Sequence, residues 1–148
     1  MDKEKQSPMY PSDTVLMSFR FSGKALQWLH GTTKDDGGKE TGNFTLFGDL
    51  LSGMAFASGE GNGFRRPLML SAGQAQYSEK QLSSRWNMGR KRVRNLLATL
   101  TGLGLIDTRR SRVASVMTFP CLMEWETTDG GIISNPYYHE RRERTEDG

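Results

Sequence analysis

The segment from Ser78 to Phe119 constrains the fold most, because its apolar spacing changes at punctuated points. Ser78 is a good helix N-cap, and Gln81 stands three residues on, as in a capping box. The helix it starts is short, runs to about Arg85 and buries Leu82. Trp86-Asn87-Met88-Gly89 leaves room only for a tight turn. From Arg90 to about Thr101, Val93, Leu96, Leu97 and Leu100 fall on one face of a second helix. Gly102 and Gly104 stop it. Leu105-Ile106-Asp107 and Val113 to Phe119 then flank polar Thr108-Arg109-Arg110-Ser111-Arg112, the pattern of a β-hairpin closed by Pro120. Short helix, tight turn, longer helix and hairpin make a helix-turn-helix followed by a wing. The expected fold class is α+β: a mostly helical winged helix-turn-helix, with a three-helix core and a C-terminal β-hairpin wing.

Other segments carry weaker patterns. Residues 1–13 are polar, end in a Pro8-Met9-Tyr10-Pro11 run, and form an expected tail. Thr14 to Phe21 suits a short strand, or joins Gly23 to His30 in one amphipathic helix, and the two alternatives stay open. Thr32 to Asn43, with Asp35-Asp36-Gly37-Gly38, is expected as a loop. Phe44, Phe47, Leu50, Leu51, Met54 and Ala55 predict a helix over Phe44 to Ala57. Gly48 and Gly53 each cost that helix about 1 kcal/mol against alanine, so packing must hold it. Leu68-Met69-Leu70 is an expected short strand. The domain is placed at residues 14–125, with residues 126–148 a polar tail or arm.

Net charge is +3, but it is segregated. Between Tyr77 and Phe119 nine basic residues face only Glu79 and Asp107, so this stretch carries +7 and the remainder −4. Such asymmetry points to a polyanionic partner, the alternative being a basic solvated face. No apolar run approaches the roughly 20 residues that span a bilayer, and no secretory signal opens the chain. One cysteine, Cys121, has no disulfide partner in the chain, so a reducing cytoplasm is expected and no membrane partner.

A helix that reads DNA buries one face and turns the other to the major groove. Val93, Leu97 and Leu100 take the inner face. Arg90, Lys91, Arg94, Asn95 and Ala98 lie on or near the outer one, where Arg and Asn match guanine and adenine edges. Arg90, Lys91 and Arg92 crowd the helix N-terminus, where cations are unfavourable unless an anion sits nearby. In the hairpin, Arg109, Arg110 and Arg112 surround Ser111 and suit the phosphate backbone or the adjacent minor groove. Ser78 and Arg85 on the preceding helix complete the expected DNA-binding set.

The run from Gly73-Gln74 through Tyr77-Ser78 and Leu82-to-Leu100 to Leu103-Gly104-Leu105-Ile106 resembles the winged-helix domain of bacteriophage and plasmid replication-initiation proteins. The resemblance covers roughly residues 44 to 119, and many bacterial repressors share its core pattern. It implies duplex DNA binding, through helix 90–101 and wing 107–119, in replication initiation or transcriptional control of a mobile element. Double-stranded DNA is then the partner, with a second copy of the chain or a replication or transcription protein beside it. The competing expectation is a winged-helix protein-interaction module without DNA contact.

No enzyme activity is expected, and no catalytic residue, cofactor or metal. His30 and His139 stand apart without ligand-spaced neighbours. Gly59 to Gly63 lacks the Gly-Lys-Ser/Thr ending of a phosphate loop. Cys121 suits a small hydrophobe. Trp28 and Trp86 suit the core, while Trp125 is left open as a support for an interface.

Overall fold

In the computed structural model, described here for residues 14–60, 64, 66–110 and 115–138, helices and strands alternate along the chain. β1 (Thr14–Phe19) pairs antiparallel with β9 (Leu122–Thr127), which also pairs with β10 (Ile132–Ser134). Met17, Trp125 and Ile133 stand in one row of this sheet, and Trp125 is fully buried. The strand alternative for Thr14 onward is therefore the one that forms, and the expected boundary at residue 125 falls inside β9. Beyond β10, Asn135 is buried and donates to the carbonyls of Phe119 (3.0 Å) and Leu122 (2.8 Å).

Ser22 caps α1 (Gly23–Leu29) by accepting from the Ala25 N–H. β2 (Thr32–Lys34) and β3 (Glu40–Gly42) form a hairpin where a loop was expected. Its tip closes because the Asp35 carboxylate accepts from the N–H groups of Gly37 (2.8 Å) and Lys39 (2.9 Å). α2 (Asn43–Leu51) is shorter than the periodicity predicts. Met54 bridges to Ala75, the Ala55 N–H goes to Gln74 and the Ala55 carbonyl takes the Gly73 N–H. Those backbone groups are thus spent on strand pairing and cannot continue the helix.

β4 (Gly59–Glu60) and β5 (Met69–Leu70) pair with each other. β6 (Gln74–Gln76), β7 (Asp107–Arg110) and β8 (Ser115–Thr118) form a sheet with β8 in the middle. Between β6 and β7 in the chain come α3 (Glu79–Trp86) and α4 (Arg90–Gly102). α3 starts on the Ser78 hydroxyl, which accepts from the Gln81 N–H at 3.2 Å, and ends on Asn87 in the left-handed region at φ 55°. α4 ends as a Schellman motif. Gly104, at φ 76°, donates to Thr101, and Leu105 donates to Leu100.

The expected mostly helical architecture, a three-helix winged core with one hairpin, is not what forms. Among the described residues the fold is α+β with four helices and several small antiparallel sheets, and strand residues are about as numerous as helical ones. The expectation failed because, apart from the open strand alternative at Thr14, it gave the sequence outside residues 44–119 to tails, loops or an extra helix. Those segments build α1, the β2–β3 hairpin and the β1–β9–β10 sheet. Their side chains complete the core, in which Phe19, Phe47 and Phe119 meet edge to face and Phe56 packs on Trp125. Phe44, given to the apolar stripe of α2, is 48% exposed and touches Phe21 at the surface.

Candidate nucleic-acid interface

Val93, Leu97 and Leu100 face the core from α4, as expected of its inner stripe. That phase leaves Arg90, Lys91, Arg92, Arg94, Asn95 and Ala98 exposed. On β7, Arg109 and Arg110 are also exposed. Ser111 and Arg112 lie outside the described residues.

One carboxylate gathers cations from both elements. Glu79, the first residue of α3, accepts from Arg94 Nε at 3.2 Å and from Arg110 Nη1 at 2.6 Å, and lies 3.9 Å from Arg90 Nη2. Its side chain is only 10% exposed, whereas the three arginine side chains are each more than half exposed. The capped start of α3 holds the acid under the guanidinium groups, and they remain at the surface. Three positive charges around one negative charge leave the cluster cationic. Burial, with Glu79 adding to it, pushes the nearby Tyr77 hydroxyl above its ordinary value.

A second carboxylate reaches the N-terminus of α4. Asp36, at the tip of the β2–β3 hairpin, accepts from the Gly89 N–H at 2.9 Å and from Arg92 Nη1 at 2.8 Å. Arg92 Nη2 also donates to the Lys34 carbonyl at 2.5 Å, and the Asp36 N–H donates to the Asn87 carbonyl. The anion that three cations at a helix N-terminus call for is thus supplied, at least in part, from within the chain. Arg92 is turned toward this hairpin and away from the Glu79 cluster.

Two expected site residues lie elsewhere. Ser78 spends its hydroxyl on capping α3, and Arg85 pairs with Asp49 of α2 at 3.4 Å. Asp49 also accepts from the Trp86 indole N–H at 2.8 Å. Ser78, Arg85 and Lys80 line a cavity of about 930 Å³ between α2 and α3, which no residue of α4 lines. Lys91, Arg109 and the Asn95 side chain make no ion pair or hydrogen bond among the described residues.

Glu79 and Asp36 escaped the sequence analysis because their partners lie 11 to 56 residues away along the chain. Glu79 was counted only as an opposing charge, and Asp36 only as part of a turn. The unanswered cations at the start of α4 were the one signal that an acid had to come from somewhere. Trp125, left open as an interface residue, is instead core, and its indole N–H is buried without a partner among the described residues.

Among the described residues no three His, Cys, Asp or Glu side chains converge as a metal site. Nor is any helix among them long and apolar enough to cross a membrane. No family model, curated protein or solved structure matches this chain.

Proposed function

We propose that the chain binds duplex DNA with the outer face of α4 and the arginines of the β7–β8 hairpin. The observation that carries the reading is the shared carboxylate, which draws Arg94 of α4 and Arg110 of β7 onto one surface. Lys91 and Arg109 add charge, and neither is held in an ion pair among the described residues. α4 has 13 residues, so it is about 20 Å long. Its exposed residues include the small Ala98, which permits close approach, and Arg94 and Asn95, whose donors and acceptors match base edges. Arg109 and Arg110 suit phosphate contacts. A role in replication initiation or transcriptional control of a mobile element is part of this proposal, and origin and operator duplexes are the natural first ligands.

The test is fluorescence anisotropy of the full chain with labelled random duplex. Binding should weaken as salt rises, because contacts to phosphate release counterions. No binding at low salt would end this reading.

A further inference from the structure

We propose that Glu79 is a positioning residue for sequence readout: it holds Arg94 and Arg110 by one nitrogen each, so that their remaining donors meet the duplex as one preset group. The inference rests on the DNA-binding reading.

The geometry of the three charges carries it. Arg94 engages Glu79 through Nε, which leaves both of its terminal nitrogens uncommitted. Arg110 engages through Nη1 and keeps Nη2 and Nε. A guanidinium reads guanine with two parallel donors to O6 and N7, so an arginine anchored by Nε still holds a complete fork. The acid itself is withdrawn, 10% exposed, beneath arginines that are more than half exposed. One negative charge among three positive ones leaves an excess, so the cluster still attracts an anion. A network built for stability alone has no need of uncompensated guanidinium groups at its rim, and exposed pairs of this kind contribute little to stability.

Two consequences of opposite sign follow. The Glu79 charge repels phosphate, so its loss should tighten binding to any duplex. Its hydrogen bonds restrict the side-chain rotamers of Arg94, the base reader, and keep the phosphate-facing Arg110 in register with it, so its loss should blur base discrimination through Arg94. A residue that only supports the fold would change cognate and random binding together.

The experiment uses the full chain and Glu79→Gln, which keeps the side-chain shape and removes the charge. Wild type first selects bound duplexes from a pool with a randomised centre. Dissociation constants are then measured on the best selected duplex and on random duplex. With Glu79→Gln, random binding should tighten by about two- to fivefold through the lost repulsion, and the cognate-to-random ratio should fall by about tenfold, the scale of one bidentate base contact. Arg94→Lys keeps the charge without the fork and should lose a similar ratio. In that background Glu79→Gln should remove no further discrimination. An unchanged ratio in Glu79→Gln, or an additive loss in the double variant, overturns the proposal. If Glu79→Gln does not fold, retention of the full ratio by Arg94→Lys overturns it instead. Wild type that binds no duplex defeats the DNA reading itself, whereas binding with an unchanged ratio defeats only the role of Glu79.

Discussion

A guanidinium that gives one N–H to a fixed carboxylate keeps its charge and surrenders part of its rotamer freedom, which makes the acid as informative as the base. Which arginines lie on the outer face of α4 was legible, because helical phase follows from Val93, Leu97 and Leu100. Which acids hold them was not, since Glu79 and Asp36 reach them through tertiary structure. Other single residues make sharper tests of the packing. Gly73 sits at φ +97°, and an added Cβ would lie 2.8 Å from Asn135 Oδ1 and 3.2 Å from the Tyr137 ring. Gly73→Ala should therefore cost about 1–3 kcal/mol in backbone strain alone, with displacement of the 135–138 segment added. Denaturant unfolding measures the loss, and a midpoint equal to wild type would contradict the placement of Asn135. Cys121 is buried, and burial pushes its thiol from 9.0 up to about 12. Below pH 9 the thiol is protonated in both states and adds no pH dependence. Between pH 9 and about 12 the unfolded chain releases a proton that the native chain keeps, so stability falls as pH rises, by up to about 1.4 kcal/mol per pH unit. Cys121→Ala should show a shallower alkaline decline, and a thiol reagent at pH 8 should modify wild type only as it unfolds.

The elements divide by whether their signal is local. α3 and α4 were legible almost to the residue, because an N-cap hydroxyl, an apolar stripe and a Leu-Gly-Leu stop all act within one or two turns. α2 was overextended, because what ends it is the pairing of Met54 and Ala55 with β6, some 20 residues on. The β2–β3 hairpin was missed because its strands are three residues each and its apolar content is low. Its tip nevertheless caps α4 through Asp36. Leu97 is 5% exposed on the inner face of α4, so Leu97→Ala should destabilise the protein by about 2–5 kcal/mol. Thermal unfolding followed by circular dichroism checks it. A variant that melts like wild type yet fails to bind DNA would put Leu97 on the outer face and displace Arg94 and Asn95 as base readers. For the β7–β8 hairpin, replacing Arg109 and Arg110 with Ala should weaken binding to all duplexes alike. The salt slope should become shallower by about one unit for each phosphate that the hairpin no longer neutralises. An unchanged slope would mean that the hairpin does not touch DNA.

At the scale of the whole molecule, charge and core were legible to different degrees. The +7 stretch between Tyr77 and Phe119 was plain in the sequence, and Arg90 and Arg94 of α4 and Arg110 of β7 meet at Glu79. The architecture was not, because short strands at the two ends of the domain gain their stability only by pairing with each other. β1 and β9 are more than a hundred residues apart, so no local pattern joins them. Their sheet seals Trp125 and closes the core behind the helices, so the basic surface stands on a fully formed α+β scaffold. Whether that surface engages a polyanion through its phosphates is the central question, and the salt dependence of duplex binding addresses it most directly. Anisotropy titrations of the full chain with random duplex between roughly 50 and 200 mM salt should give a linear fall of log K against log salt, with a slope of about −3 or steeper if about four or more phosphates are neutralised. Binding that is absent at the lowest salt, or indifferent to salt across that range, would contradict it.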